Sequence, residues 1–491
     1  MTTPDRQGDR AVERACAQAV AAADWLAGTD PQRRAAVLTA LADAVDAAAD
    51  ELVPIARAES ALPTARLTGE VARTSGQLRL FAEVVRDGAC FEVTVDTARP
   101  DLAPPRPDLR RWLVGLGPVA VFGASNFPFA FSTLGNDTAS ALAAGCPVVV
   151  KTHPGHPRLT AATVAVARRA LAEVAPEGVA DGIVTAVGPD VETGVALVRD
   201  DRIEAVGFTG SARGGLALQR IAQDRPRPIP FYGELGSINP VFVTRAAAAA
   251  RPREIAAGFV GSYTLGAGQY CTKPGLLVVP RGSGMRGAVV EAVAGVGAQA
   301  MLNPGVRAGF LAGLDHRLAL PGVEVLLPGG VDPETAAVAP SLVAVPIGLT
   351  ADVPDLLEEC FGPTSLLVEY EDEAELADLA RRLPGVLTAT VAGEVGEPVL
   401  AELLPLLEAR AGRVLWNGWP TGVAVTWSMQ HGGPFPSATT ALHTSVGAAA
   451  VRRFLRPVTW QGFPQDLLPE ALRDANPWRL PRRVDGVLRL P

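Results

Sequence analysis

No Cys-x-x-Cys pair occurs in this chain, and its five cysteines (Cys16, Cys90, Cys146, Cys271 and Cys360) are odd in number and widely spaced over 491 residues. That pattern argues against a disulfide framework and a zinc site, and it fits a reducing, cytoplasmic setting. Basic clusters are lacking too: the formal net charge is −8, the pI is about 5.4, and the Lys and Arg residues are scattered. Nothing here offers a stripe for a nucleic-acid backbone. Met1 to Arg10 is polar and charged, so the apolar core of a secretory signal is absent. Trp112 to Phe131 is apolar over a length that invites a membrane reading, but Gly115, Gly117, Pro118, Gly123, Asn126 and Pro128 interrupt it. A buried strand followed by a loop is expected there, with no membrane span. No internal repeat or low-complexity block stands out, although Ala246 to Ala250 comes close.

What the chain has in quantity is apolar residues, 48% of the total, enough for two or three domains with large cores. From Asp9 to about Asp87 apolar residues recur at helical spacing, with a capping signal at Thr29-Asp30-Pro31. These amphipathic helices are expected to be scaffold rather than chemistry. The proline-rich, charged segment Arg99 to Arg111 follows and reads as an exposed extended arm. Beyond it, short β-branched runs at 118–122, 147–150, 182–187 and 205–208 alternate with helical stretches at 137–144, 159–175 and 193–198. This alternation predicts a doubly wound parallel sheet, which binds nucleotides at the carboxyl ends of its strands. A second α/β region runs from about Ile238 to Met429.

Several motifs carry chemical possibilities. Cys271 stands in Gly268-Gln269-Tyr270-Cys271-Thr272, 37 residues after Glu234 in Gly233-Glu234-Leu235-Gly236. A thiol is the side chain best suited to attack a carbonyl carbon at neutral pH, and a carboxylate can activate the water that releases an acyl group. Phe208 to Gly215 (FTGSARGG) joins a strand to a helix, as either a structural turn or a backbone approach to phosphate. Asn126 ends an apolar strand, where it either forms a turn or donates to an oxyanion, a contact whose removal costs about 3–4 kcal/mol. Lys151 ends another strand and is either solvated or a contact for ribose or phosphate. His153 and His156 lack a carboxylate or cysteine cluster nearby in the sequence, so no metal is expected.

Asn126, Lys151, Gly210-Ser211, Glu234-Leu235-Gly236, Gly268 to Cys271 and Glu359 to Pro363 follow one another in an order and spacing that closely resembles the aldehyde dehydrogenase superfamily, across roughly residues 10–460. The resemblance implies an α/β fold with a Rossmann-type cofactor domain (1–98 and 112–237) and an α/β catalytic domain (238–432). It also implies a small strand oligomerisation arm, with its return to the cofactor domain (99–111 and 445–462), that joins a homodimer or homotetramer. It further implies Cys271 as nucleophile, Asn126 and the Cys271 N–H as oxyanion donors, and Glu234 as the base for water. Lys151, Gly210, Ser211, Gly215, Glu359 and Phe361 would bind NADP or NAD.

A narrower resemblance lies in Gly117 to Pro128, in Gly135 to Pro147 and in a tail containing His431 to Pro436, Thr444 to Gly447 and Arg452 to Val458. It points to the branch that oxidises 2-oxoglutarate semialdehyde (2,5-dioxopentanoate) to 2-oxoglutarate. Another short or medium aliphatic aldehyde is the alternative substrate, and a non-catalytic structural or binding relative is the alternative of a different class. Pro154 stands where NAD-preferring members carry a glutamate, which puts NADP slightly ahead of NAD. Trp419, Trp427 and Phe127 are expected to form an aromatic pocket wall, and no arginine is assigned to a substrate carboxylate.

Overall fold

The computed structural model describes residues 6–491 and arranges them around three five- to seven-stranded sheets. Four helices open the chain, Arg6–Ala27, Pro31–Ala47, Ala49–Ser60 and Thr64–Asp87. The second begins where the capping signal lies: the Asp30 carboxylate accepts from the Arg33 N–H at 2.8 Å, and Pro31 occupies the first turn, where no N–H is needed. The fourth helix buries Leu67, Leu78 and Phe81 completely, against the largest apolar core.

The first α/β sheet is wholly parallel, in the order Val184–Val187, Val148–Lys151, Val119–Phe122, Ala205–Thr209, Phe231–Glu234. Covered by helices on both faces, its central strands can be continuously apolar, as Val148, Val149 and Val150 are. The strand order reverses between Val119–Phe122 and Ala205–Thr209, and such a switch point leaves a crevice at the strand ends. Asn126 and Gly210-Ser211 both follow strands that meet there. The second sheet has seven strands, with Leu276–Pro280 between Thr364–Tyr370 and Pro240–Val243. Its two faces carry separate apolar cores, one around Phe242 and Tyr370 and one around Phe259 and Tyr263.

A third sheet joins distant parts of the chain in the order Leu455–Gln461, Leu109–Gly115, Val93–Asp96, Arg482–Val484, Val487–Arg489. The apolar stretch Trp112 to Phe131 therefore contains parts of two strands in two different sheets, followed by turns, rather than one strand and a loop. No helix among the described residues is long and apolar enough to cross a membrane. The segment Arg99 to Arg111 is not extended throughout. Arg99 and Arg106 bridge antiparallel, and Arg106 donates to the Thr97 carbonyl at 2.7 Å and pairs with Asp485 at 2.6 Å, which folds the chain back before the strand begins at Leu109.

Candidate active site

Cys271 lies in the turn between the helix Pro252–Thr264 and the strand Leu276–Pro280. Gly268 has φ +64°, and a Cβ there would stand 2.3 Å from the Gly362 carbonyl oxygen, so the loop before the thiol closes only on glycine. Two buried side chains hold the turn from beneath. Asn239 Nδ2 donates to the carbonyls of Cys271 (2.8 Å) and Lys273 (3.0 Å). Lys273 Nζ, fully buried, donates to the carbonyls of Cys360 and Thr364, both at 2.9 Å, and so ties the Cys271 loop to the Glu359 loop.

The structure brings a third reactive group to this pair. His431 Nε2 lies 3.4 Å from Cys271 Sγ and 3.0 Å from Glu234 Oε1, with the imidazole and the carboxylate both buried. Ser445 Oγ donates to the other Glu234 oxygen, and Thr444 Oγ1 accepts from the His431 N–H at 2.7 Å. Burial raises the Cys271 thiol well above its ordinary range; the Glu234 charge and its hydrogen bond raise it further, and Arg73 opposes them. Burial also acts to raise the Glu234 carboxyl, but the charge of His431 and hydrogen bonds from His431, Ser445 and Cys271 outweigh it and hold the group below its ordinary value. The one nitrogen Nε2 faces both groups, so while it donates to Glu234 the carboxylate, which also accepts from the thiol, is the group placed to take a proton leaving sulfur. Thiol, imidazole and carboxylate ligand atoms lie within 4.8 Å of one another, a set that would also accept a zinc-like cation.

Asn126 meets the thiol from the end of the strand Val119–Phe122. Its Nδ2 donates one hydrogen to the Gln269 carbonyl at 3.0 Å, which leaves the second for the cavity that Asn126 and Cys271 both line. Arg66, on the fourth helix, donates to the Asn126 carbonyl at 2.7 Å and stacks over Phe127 and Tyr270. The opening helices are therefore not scaffold alone. The aromatic neighbours of the site also differ from expectation: Phe127 meets Phe131 and Tyr270, whereas Trp419 packs on the helix of Phe259 and Trp427 is 54% exposed. Trp419 is drawn there by Gly258, whose missing side chain leaves room for the indole.

Asn126, Gly210, Ser211, Glu234, Cys271, Glu359 and Phe361 all line one cavity of about 330 Å³. Ser211 caps the helix Ala212–Gln223 by accepting from the Gly214 N–H. Gly215 lies beneath, where a Cβ would stand 2.4 Å from the Leu235 side chain, so glycine permits the helix to approach this closely. Burial raises the Glu359 carboxyl, the Lys273 charge opposes this, and Glu359 Oε1 is buried without a partner. Lys151 sits apart at the neighbouring strand tip, its Nζ donating to the Pro189 carbonyl at 2.6 Å. His153 lines the cavity, but its Nδ1 accepts from the Gly155 N–H at 2.9 Å, and burial pushes the ring's pKa down to about 3. His156 contacts the Ala124 carbonyl and Thr160.

Residues 1–458 match the profile of the Aldehyde dehydrogenase family. The chain is 47% identical over 481 residues to alpha-ketoglutaric semialdehyde dehydrogenase 2 of Azospirillum brasilense, covering 97% of this chain and 91% of that protein. It is 43% identical to alpha-ketoglutaric semialdehyde dehydrogenase of Acinetobacter baylyi, over 94% of this chain and 88% of the relative. Among solved structures, an NAD-dependent aldehyde dehydrogenase of Sinorhizobium meliloti superposes with a TM-score of 0.76 at 23% identity, over 93% of this chain and 88% of the other. An aldehyde dehydrogenase of Pseudomonas syringae, complexed with NAD+ and octanal, gives 0.77 at 20% identity, over 93% and 90%. At such low identity these two structures speak for the fold alone, but the family match and the two close relatives go further: the chain belongs to the aldehyde dehydrogenase family.

Proposed function

We propose that this enzyme oxidises 2-oxoglutarate semialdehyde to 2-oxoglutarate through a thioester on Cys271. The observation that carries the chemistry is the contact of Cys271 Sγ with His431 Nε2, and of His431 with Glu234. The substrate reading rests on the two relatives named for that semialdehyde. In this reading the thiol proton passes to Glu234, which His431 holds in place, as sulfur attacks the aldehyde carbon. The alkoxide of the resulting thiohemiacetal accepts hydrogen bonds from Asn126 Nδ2 and the Cys271 N–H. A bound nicotinamide nucleotide supplies the hydride acceptor. Glu234 releases that proton to solvent and then, with His431 beside it, takes another from the water that attacks the thioester; the carbon–sulfur bond breaks and this proton passes back to the Cys271 sulfur.

The cleft suits such a nucleotide. Glu359 Oε1 is an unpaired acceptor for ribose hydroxyls, and the N-terminus of Ala212–Gln223 beside Gly210 offers N–H groups to a pyrophosphate. Phe361 adds an apolar wall, and Gly215 sets the depth of the cleft. Lys151 would reach the adenosine ribose by leaving the Pro189 carbonyl. With Pro154 in place of a carboxylate, and Asp190 committed to the Thr193 N–H and hydroxyl, NADP is accepted slightly better than NAD. Residues 1–98 and 112–237 serve as the cofactor unit and 238–432 as the catalytic unit. The third sheet joins copies into a homodimer or homotetramer through its exposed edge strands. Nicotinamide reduction with 2-oxoglutarate semialdehyde, propanal and succinate semialdehyde, each with NADP and NAD, tests the reading. Preferential turnover of the oxo acid is expected; turnover of the simple aldehydes alone would keep the Cys271 chemistry and remove this substrate.

A further inference from the structure

Arg73 is a half-buried charge that the chemistry above does not use. It projects from the helix Thr64–Asp87, with its guanidinium carbon 5.6 Å from the centroid of the Phe127 ring and 5.4 Å from that of Phe131. Its Nε and Nη2 are buried without a hydrogen-bond partner, and it forms no salt bridge among the described residues. The neighbouring Glu70 gives its carboxylate to Arg66 Nε at 3.2 Å and to the Phe129 N–H instead. A buried guanidinium with unused donors is destabilising until an anion meets it. Aromatic rings cover the faces of such a group and leave its edge, where the N–H donors lie, for a partner.

The same rings tie Arg73 to the reaction centre. Phe131 lies 6.3 Å from the His431 ring, and Phe127 lies 5.4 Å from Tyr270, the residue before Cys271. Arg73 is near enough to Cys271 for its charge to favour the thiolate. None of Arg73, Phe127 and Phe131 lines the cavity of Gly210, Ser211 and Glu359, so this flank is separate from the nucleotide cleft. Arg413 also acts on Cys271, but its Nη1 and Nη2 already donate to the carbonyls of Gly422 (2.8 Å) and Pro420 (2.6 Å).

We propose that Arg73 binds the carboxylate at the far end of the aldehyde substrate, with Nε and Nη2 as a two-pronged donor held in place by Phe127 and Phe131. Arg73 is then a specificity-determining residue that anchors an anionic aldehyde with its carbonyl at Cys271. The assignment rests on the oxo-acid reading above, and the two can fail separately. If the wild-type enzyme shows no preference in kcat/KM for 2-oxoglutarate semialdehyde over propanal, the substrate reading falls and the assignment with it. Given that preference, Arg73→Gln is expected to lower kcat/KM about 100-fold for the oxo acid, mainly through KM, and less than about 5-fold for propanal. A second readout needs no cofactor: calorimetric titration with 2-oxoglutarate should give saturable binding to the wild type and about 100-fold weaker binding to the variant. Arg73→Lys keeps the charge but not the fork and should lose about 10-fold of the preference, which carries the test should Arg73→Gln not fold. Equal losses on both aldehydes, wild-type affinity for 2-oxoglutarate in Arg73→Gln, or undiminished preference in Arg73→Lys would overturn the assignment.

Discussion

The polar groups around Cys271 and those that face the ligands are treated in opposite ways. Cys271, His431 and Glu234 hold one another, and Ser445, Thr444 and Asn239 hold the three in turn. By contrast, Glu359 Oε1 and the Nε and Nη2 of Arg73 are buried with no partner. The first group is assembled before any ligand arrives, and preorganised hydrogen bonds of this kind lower the barrier without rearrangement. The second finds its partners only when ligands enter, so its interactions appear as affinity. Substitutions in the first group should therefore act on kcat, and substitutions in the second on KM.

Removing the nucleophile is the strongest test of that division. Cys271→Ala should lower both aldehyde oxidation and ester hydrolysis by at least about 1,000-fold, and a wild-type rate in either assay would refute the thioester route. Glu234→Gln should slow thioester hydrolysis by about 100- to 1,000-fold, seen as a burst followed by an accumulating acyl-enzyme in mass spectrometry. The same change sharpens the electrostatic side. Wild-type alkylation of Cys271 by iodoacetamide should accelerate with rising pH, because burial and Glu234 both raise the thiol. Neutralising Glu234 lowers the thiol and should speed alkylation at neutral pH; slower alkylation would mean that the Glu234 charge does not hold the thiol up. His431→Ala should reduce kcat about 100-fold with little change in KM, and a change confined to KM would show that the imidazole does not support Glu234 as the base. Smallest of these is Glu359→Gln, expected to raise the KM for the nicotinamide nucleotide about 10-fold with a lesser effect on kcat. An unchanged cofactor KM there would break the division between the two regions.

Much of this was legible in the residues. Short β-branched runs located the strands, and the glycines beside Ser211 marked a turn. Those are local signals, each readable within a few residues. His431 was visible only as part of a tail motif, because it lies 160 residues from Cys271 and 197 from Glu234, and no periodicity links them. Arg66 and Arg73 were hidden for another reason. On an amphipathic helix an arginine reads as a solvated position, and only the tertiary fold turns that face toward Asn126 and Phe131. The aromatic wall failed similarly: Trp419 has the composition of a pocket residue, but Gly258 opens a place for it on another helix.

The third sheet has a meaning for how this protein is made. Its strand Val93–Asp96 lies between Leu109–Gly115, which is synthesised soon after it, and Arg482–Val484, which is synthesised long after both. A nascent chain therefore carries one unfilled edge until Arg482–Val484 has been made. Unpaired edges invite pairing with other chains, so during this interval the protein is exposed to its neighbours. Emergence of Arg482–Val484, rather than of the first α/β unit, is the moment at which that edge can close.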